Sequence, residues 1–222
     1  IDSSWQITFL SNDITSVVVG EGITSIGSYA FADMEITEIL LPSTLKTIKN
    51  CAFSGCHSLV NIEGLDNITY IENYAFCNCL SLKEIVLGDE LEFVGFSAFR
   101  LSGLEKVTLP KSLKILSNYA FAECMRLKKV IIEAEISDID SQAFYNCVNL
   151  EKIYFYTEKN LYNDSYFCNN DAKIVYGYNG GKTFKVADTT YEDEYGYVYF
   201  DSYFDEYATI FNQSFATMSL CL

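Results

Sequence analysis

Apolar residues recur along this chain with a fixed period of 22 or 23 residues. Six Ala-Phe dipeptides mark the period, and one further period leads to Phe167. The dipeptides are Ala30-Phe31, Ala52-Phe53, Ala75-Phe76, Ala98-Phe99, Ala120-Phe121 and Ala143-Phe144. Such a period is typical of a solenoid, in which each unit buries its apolar residues against its neighbours because it has too few to close a core alone.

The spacing of the other apolar positions predicts the shape of each repeat. Around each Phe, apolar residues lie three or four positions apart, which is typical of a helix. Further on, two apolar positions lie two apart among β-branched residues, which is typical of a short strand. The predicted fold is an α/β solenoid, a right-handed coil with a parallel β-sheet on one face and short helical or 3₁₀ arcs on the other. The predicted strands lie near 14–19, 36–41, 59–64, 82–87, 104–109, 127–132, 150–155 and 172–176.

The pattern divides the chain into three parts. Residues 1–22 are predicted to be an N-terminal cap, containing Trp5, and the first rung. Residues 23–180 hold the repeats, six of them clear and one, at Phe167, degenerate. Residues 181–222 are acidic and rich in tyrosine, with no basic residue after Lys185. We expect this last part to cover the final ring, with a strand and a hairpin near Tyr195 to Tyr199.

One unit, Leu104 to Cys124, reads LEKVTLPKSLKILSNYAFAEC. It resembles the BspA-type leucine-rich repeat, and the resemblance covers roughly residues 14–178. That family is known for surface proteins of bacteria and parasitic protists implicated in adhesion. The resemblance therefore implies a secreted or cell-surface, adhesin-like module that binds a host or partner protein, and the sequence itself points to the sheet face as the binding surface. The alternative is an intracellular or structural scaffold with no adhesive role.

Charge and composition narrow the class of partner. The formal net charge is −15, which argues against nucleic acid and anionic lipid, because both need clustered Lys and Arg. No apolar stretch is long enough to span a membrane. Because the chain begins with Ile1, we interpret it as a processed or excised fragment. Glycosylation sequons occur at Asn67, Asn163 and Asn212, and they matter only in a secreted eukaryotic protein.

The cysteines and the single histidine suggest no catalytic or metal site. One position of the repeat holds Cys56, Cys79, Cys124 and Cys147, and Met or Ser elsewhere, so we predict a ladder of buried, reduced thiols. Cys51, Cys77, Cys168 and Cys221 stay unassigned. His57 is predicted to be a surface residue next to a buried Cys56. No zinc spacing, phosphate loop or nucleophile motif occurs, and we predict a non-enzyme without a cofactor.

Two columns of residues are predicted to point outward from the sheet. One column holds Ser16, Glu38, Asn61, Glu84, Lys106, Lys129 and Lys152, and Lys173 continues it; the other holds Val18, Leu40, Glu63, Val86, Thr108, Ile131 and Tyr154. The candidate binding residues are Lys106, Lys129, Ile131, Lys152 and Tyr154 at the centre, with Val86, Glu84 and Glu38. The lysine end would suit an acidic or sulfated partner, unless Glu105 and Glu151 neutralise it. The apolar residues would form an interaction surface, unless they reflect strand propensity alone.

Overall fold

About six successive coils make up the structure, a computed structural model that describes residues 14–133, 136, 138–139, 142–155, 172–175, 190–192 and 198–200. The predictions for Trp5, for the degenerate repeat at Phe167, for Cys168 and Cys221, and for the sequons at Asn163 and Asn212 lie outside the described residues.

A single file of phenylalanine rings runs through the interior. The six Ala-Phe phenylalanines stack with neighbouring ring centroids 4.9 to 5.5 Å apart and ring planes within 7° of parallel. All six are buried, together with the alanine that precedes each of them. Burying one such side chain stabilises the fold by about 1.5–3 kcal/mol, so each coil depends on the next for most of its stability. The predicted interior alignment of the repeats is confirmed.

The backbone consists of short strands joined by turns. The described residues contain the following strands: β1 (Ser16–Val18), β2 (Ser25–Ile26), β3 (Glu38–Leu40), β4 (Thr47–Ile48), β5 (Asn61–Glu63), β6 (Tyr70–Ile71), β7 (Phe93–Val94), β8 (Lys106–Leu109), β9 (Ile115–Leu116), β10 (Lys129–Ile132), β11 (Asp138–Ile139), β12 (Lys152–Phe155), β13 (Lys173–Val175), β14 (Thr190–Glu192) and β15 (Val198–Phe200). They form three sheets, with the strand orders β1-β3-β5, β8-β10-β12-β13-β15-β14 and β2-β4-β6-β7-β9-β11. Every pairing is parallel except that of β14 with β15.

The predicted strand at 82–87 joins neither the sheet of β1, β3 and β5 nor the sheet that begins with β8. Its side chains keep the strand alternation, with Ile85 inward and Glu84 and Val86 outward, but its backbone forms no strand pairing with the neighbouring coils.

The predicted helical arcs are wrong, because no helix occurs among the described residues. In each coil, the residues two before and two after the Phe have positive φ, between 52° and 75°, which ends any right-handed helix. Alternate N–H groups of the arc bond to the next coil, as the N–H of Phe53 does to the carbonyl of Ala75 at 2.8 Å, and the N–H groups between them bond three residues back, as Ser54 does to Cys51 at 3.1 Å. Each arc is therefore a chain of tight turns tied to its neighbour.

The C-terminal part adds a hairpin to the sheet. Strands β14 and β15 pair antiparallel, and β15 lies parallel to β13 with Val198 opposite Val175. This confirms the predicted hairpin near Tyr199. The hairpin continues the sheet beyond the last repeat strand, so β13 does not form its edge.

Candidate binding face

The two outward columns keep the register that the repeat predicts. Ser16, Glu38 and Asn61 are direct partners across β1, β3 and β5. Lys106, Lys129, Lys152 and Lys173 are direct partners across β8, β10, β12 and β13. We call this surface the sheet face. Because adjacent strands lie about 4.8 Å apart, its side chains form continuous ladders on each side of the break at 82–87.

The first part of the sheet face is acidic and exposes aliphatic side chains. We call it the acidic half; its residues are Ser16, Val18, Glu38, Leu40, Asn61, Glu63, Glu84 and Val86. All eight are exposed, and Val18, Leu40 and Val86 keep 72%, 45% and 76% of their surface. Asn61 Nδ2 donates a hydrogen bond of 3.0 Å to Glu63 Oε1, which fixes that carboxylate on the face.

A groove continues the acidic half beyond the ends of β1 and β3. It has a volume of about 430 Å³, and its lining includes Val18, Leu40, Pro42, Glu21, Asp66 and Asn67. The Glu21 carboxylate accepts hydrogen bonds of 3.1 Å from the backbone N–H and from the hydroxyl of Ser43. The groove therefore combines an aliphatic wall with an oriented carboxylate. Sequence reasoning missed it because its lining comes from three successive coils.

The second part of the sheet face is basic, and its side chains are less exposed than those of the acidic half. We call it the lysine half; its residues are Lys106, Thr108, Lys129, Ile131, Lys152 and Tyr154. The Lys129 ammonium lies 4.4 Å from the centre of the Tyr154 ring, in a cation–π contact that crosses to the next strand. Partial burial lowers the pKa of Lys129, and repulsion from Lys106 and Lys152 lowers it further.

The expectation that Ile131 is exposed is wrong. Only 5% of its surface is accessible, although it points outward from β10. In register it lies between Thr108 and Tyr154, both half-buried. The Tyr154 ring beside it is also the ring that the Lys129 ammonium contacts, so the burial of Ile131 coincides with the cation–π contact.

Neither Glu105 nor Glu151 forms an ion pair with a lysine of the ladder in the part of the chain that the structure describes. Both are exposed. The ion pairs found there lie elsewhere: Arg100 with Glu123 and Lys114 with Glu92, each at 2.7 Å. Among the described residues, neutralisation of the ladder through ion pairs with Glu105 or Glu151 is thus not seen.

The thiol ladder is present as predicted. Cys56, Cys79, Cys124 and Cys147 are fully buried and free. Each thiol donates to the carbonyl of the Phe one repeat earlier, over 2.9 to 3.2 Å. Burial raises the pKa of Cys56 to about 12 and that of Cys79 well above its usual value, so both stay protonated and unreactive. Cys51 and Cys77 are half-buried and also free.

His57 lies on the surface, as predicted. It is exposed, and its Nε2 accepts a hydrogen bond of 2.8 Å from Asn78 Nδ2. Cys56 points the other way, into the interior, where its thiol bonds the Phe31 carbonyl. The two side chains therefore do not form a catalytic pair.

A second row of aromatic rings, which sequence reasoning missed, lies on the arcs. Tyr74, Phe96, Tyr119 and Tyr145 pack edge to face, with ring centroids 5.4 to 5.8 Å apart. The available signal was an aromatic residue near each Phe in four successive repeats. Such pairs stabilise the stacking of coils by about 0.5–1.5 kcal/mol each. This row packs against itself, and we assign it a structural role.

Metal-binding clusters and membrane-spanning helices are absent from the residues that the structure describes. There, no three His, Cys, Asp or Glu side chains come together in a way that would hold a metal ion. The same residues include no helix with the length and apolar character needed to cross a bilayer. Asn67, the one sequon among them, is half-buried and lines the groove.

These features define the class of the protein: a leucine-rich-repeat solenoid with a parallel sheet. A leucine-rich repeat protein from Bacteroides ovatus ATCC 8483 is similar in structure, with a TM-score of 0.50 and 20% identity over 77% of this chain and 65% of the other. A leucine rich cell surface protein from Faecalibacterium prausnitzii A2-165 has a TM-score of 0.51 and 22% identity over 65% of this chain and 48% of the other. At these identities the likeness shows the fold alone, and the chain spans less than two thirds of either protein.

The family follows from a match of the sequence itself. The model of the BspA type leucine rich repeat region matches with six copies, over residues 6–106 and 58–173. The chain therefore belongs to the BspA-type leucine-rich-repeat family, which confirms the resemblance carried by the Ala-Phe repeats. Comparison with curated proteins found no match.

Proposed function

We propose that the protein is a non-catalytic protein-binding module, secreted or displayed on a cell surface, that adheres to a host or partner protein through its sheet face. The observation that carries this proposal is the sheet face itself: two outward columns in register, polarised from acidic to basic, on a rigid stack of coils. Repeat solenoids offer extended surfaces of this kind to protein partners. The cell-surface description of the Faecalibacterium prausnitzii protein supports the location.

The test measures binding of the fluorescently labelled protein to cultured epithelial cells and to immobilised purified extracellular-matrix proteins. The face variant Glu38→Lys with Lys152→Glu reverses one charge in each half and leaves the net charge at −15. Its matched control, Glu35→Lys with Lys46→Glu, reverses two exposed charges outside the two outward columns.

We expect the face variant to lose at least about tenfold in apparent affinity and the control to bind like the wild type. Equal losses in both double variants, or no binding of the wild type to any of these surfaces, would overturn the proposal. Circular dichroism of each variant verifies that the coils remain folded.

One observation favours the alternative of an intracellular scaffold. The six cysteines among the described residues are all free, and free thiols are usual in a reducing compartment. Antibody labelling of intact and of permeabilised source cells separates the two locations. Labelling that requires permeabilisation supports the scaffold.

A further inference from the structure

We propose that the acidic half, with the groove that continues it, is the docking surface for an extended polypeptide segment that carries both basic and aliphatic side chains. This inference rests on the proposed function, and it names the partner chemistry and the half of the sheet face that binds. It departs from the sequence-based expectation, which centred the site on Lys106, Lys129, Ile131, Lys152 and Tyr154.

The first step concerns the aliphatic side chains. Leu40 lies in the middle strand of its sheet and still keeps 45% of its surface, and Val86 keeps 76%. At the corresponding position of the lysine half, Ile131 keeps 5%. Only in the acidic half, therefore, does a partner that covers the outward column remove much aliphatic surface from water.

The second step concerns charge. Glu38, Glu63 and Glu84 alternate with the aliphatic residues of the acidic half, and the two outward columns contain no basic residue there. A partner with acidic residues at the contact would place like charges together, whereas Lys or Arg would meet carboxylates. Charge complementarity of this kind selects the partner and speeds the encounter.

The third step concerns the groove. Its aliphatic wall, Leu40 and Pro42, lies beside the carboxylates of Glu21 and Asp66. A long basic side chain fits this chemistry, because its methylene stem packs on the wall while its charged head reaches the carboxylates. The Ser43 hydrogen bonds hold the Glu21 carboxylate in place for that contact.

The span of the acidic half sets the length of the segment. Val18, Leu40, Glu63 and Val86 lie in four successive coils, about 14 Å from end to end at the spacing of adjacent strands. An extended chain of about four or five residues covers that distance. Alternating side chains point to opposite sides of an extended segment, so a segment that lies between the two outward columns directs its basic residues to the column of Glu38 and Glu84 and its aliphatic residues to the column of Val18, Leu40 and Val86.

The test uses three capped nine-residue peptides and fluorescence anisotropy. One alternates lysine with valine, the second lysine with serine, and the third glutamate with valine. We expect the lysine–valine peptide to bind most tightly, more weakly as salt rises, and the other two to bind at least about tenfold more weakly.

The decisive variant is Val18→Ser with Leu40→Ser, which leaves every charge in place. We expect it to weaken binding of the lysine–valine peptide by about tenfold or more. The matched control is Val148→Ser with Leu80→Ser, since these side chains are 59% and 47% exposed at the turn between arc and strand. The control should bind like the wild type.

Two results would overturn this inference: equal binding of the lysine–serine peptide, which would indicate attraction to net charge only, or unchanged binding by the Val18→Ser, Leu40→Ser variant. The proposed function fails separately. If either result occurs while capture on cells or matrix proteins is lost in a Lys129→Glu, Lys152→Glu variant, the sheet face still binds and its site is the lysine half. If the face variant and this lysine variant both capture like the wild type, the sheet face is not the site at all.

Discussion

Val86 and Ile131 occupy the same outward column of the sheet face, one in the acidic half and the other in the lysine half, yet 76% of one and 5% of the other is exposed. The interiors beneath them match, because the file of phenylalanines and the thiol ladder run through both halves. The difference therefore arises from neighbours within the face. Ile131 pairs in register with Tyr154, and the Tyr154 ring contacts Lys129. Val86, in contrast, lies in a segment that forms no strand pairing.

The comparison shows that an outward position in a repeat is not by itself an accessible one. A long basic side chain and an aromatic ring can cover an aliphatic neighbour, since methylene stems bury apolar surface while their charged ends stay in water. A run of short carboxylates and aliphatic residues cannot do so. The lysine half thus stabilises itself, and the acidic half leaves apolar surface for a partner.

The largest expected effect is on the free energy of unfolding, and it is tested with one substitution in each half. Ile131→Ala should lower the free energy of unfolding by about 2–5 kcal/mol, because it removes buried atoms and leaves a cavity. Val86→Ala should change it by less than about 0.5 kcal/mol, because the side chain is already in water. Urea denaturation followed by circular dichroism measures both. Similar losses in the two variants would show that the halves do not differ.

A second prediction tests the buried thiols beneath the acidic half. The pKa of the Cys56 thiol is raised from 9.0 to about 12 in the folded protein, so deprotonation favours the unfolded chain. The stability that this thiol contributes is present below about pH 9 and is lost as the pH rises from 9 towards 12. By pH 10.5 we expect a loss of about 2 kcal/mol from Cys56, measured by urea denaturation across this pH range.

The control for the thiol prediction separates Cys56 from other groups that titrate at high pH. Cys56→Ala should reduce the loss between pH 8 and pH 10.5, and Cys79→Ala, in the next coil, should do the same because burial raises the pKa of Cys79 as well. Cys51→Ala removes a half-buried cysteine outside the ladder and serves as the matched substitution. An unchanged pH dependence in Cys56→Ala would contradict the assignment.

The sequence was sufficient to predict those features that depend only on the position of a residue within the repeat. The register of the Ala-Phe dipeptides predicted the phenylalanine file, the buried thiols and the in-register lysines, because each follows from the position of a residue within its coil. The prediction of helical arcs was wrong because apolar residues spaced three and four positions apart also occur in a chain of tight turns. In four of the six coils the position two after the Phe holds Asp33, Gly55, Asn78 or Asn146, and this was the missed signal, since these residue types favour positive φ.

What could not be predicted depends on contacts between coils. Ile131 is buried beside Tyr154, whose ring contacts the Lys129 ammonium, and the repeat does not specify how a side chain is oriented towards a neighbouring strand. The absence of strand pairing at 82–87 has no signal in the repeat, since Ile85 keeps the buried position of the other rungs. The groove draws Val18, Leu40 and Asp66 from three coils.

The smallest expected effect is a change in stability when charge repulsion within the lysine half is removed. Lys106 is the register partner of Lys129, and repulsion between them contributes to the lowered pKa of Lys129. Lys106→Gln removes that repulsion and leaves the contact of Lys129 with Tyr154 in place. Relative to Lys111→Gln, which removes one exposed lysine outside the ladder, it should stabilise the fold by a few tenths of a kcal/mol at low salt.

Salt dependence distinguishes repulsion within the ladder from a change in packing. The charges of the lysine half are largely in water, so the difference between Lys106→Gln and Lys111→Gln should shrink as salt rises towards about 1 M, where screening acts over about 3 Å. Thermal unfolding at several ionic strengths measures it. If Lys106→Gln is the less stable of the two at low salt, the lysine ladder is not repulsive, and charge does not set the two halves of the sheet face apart.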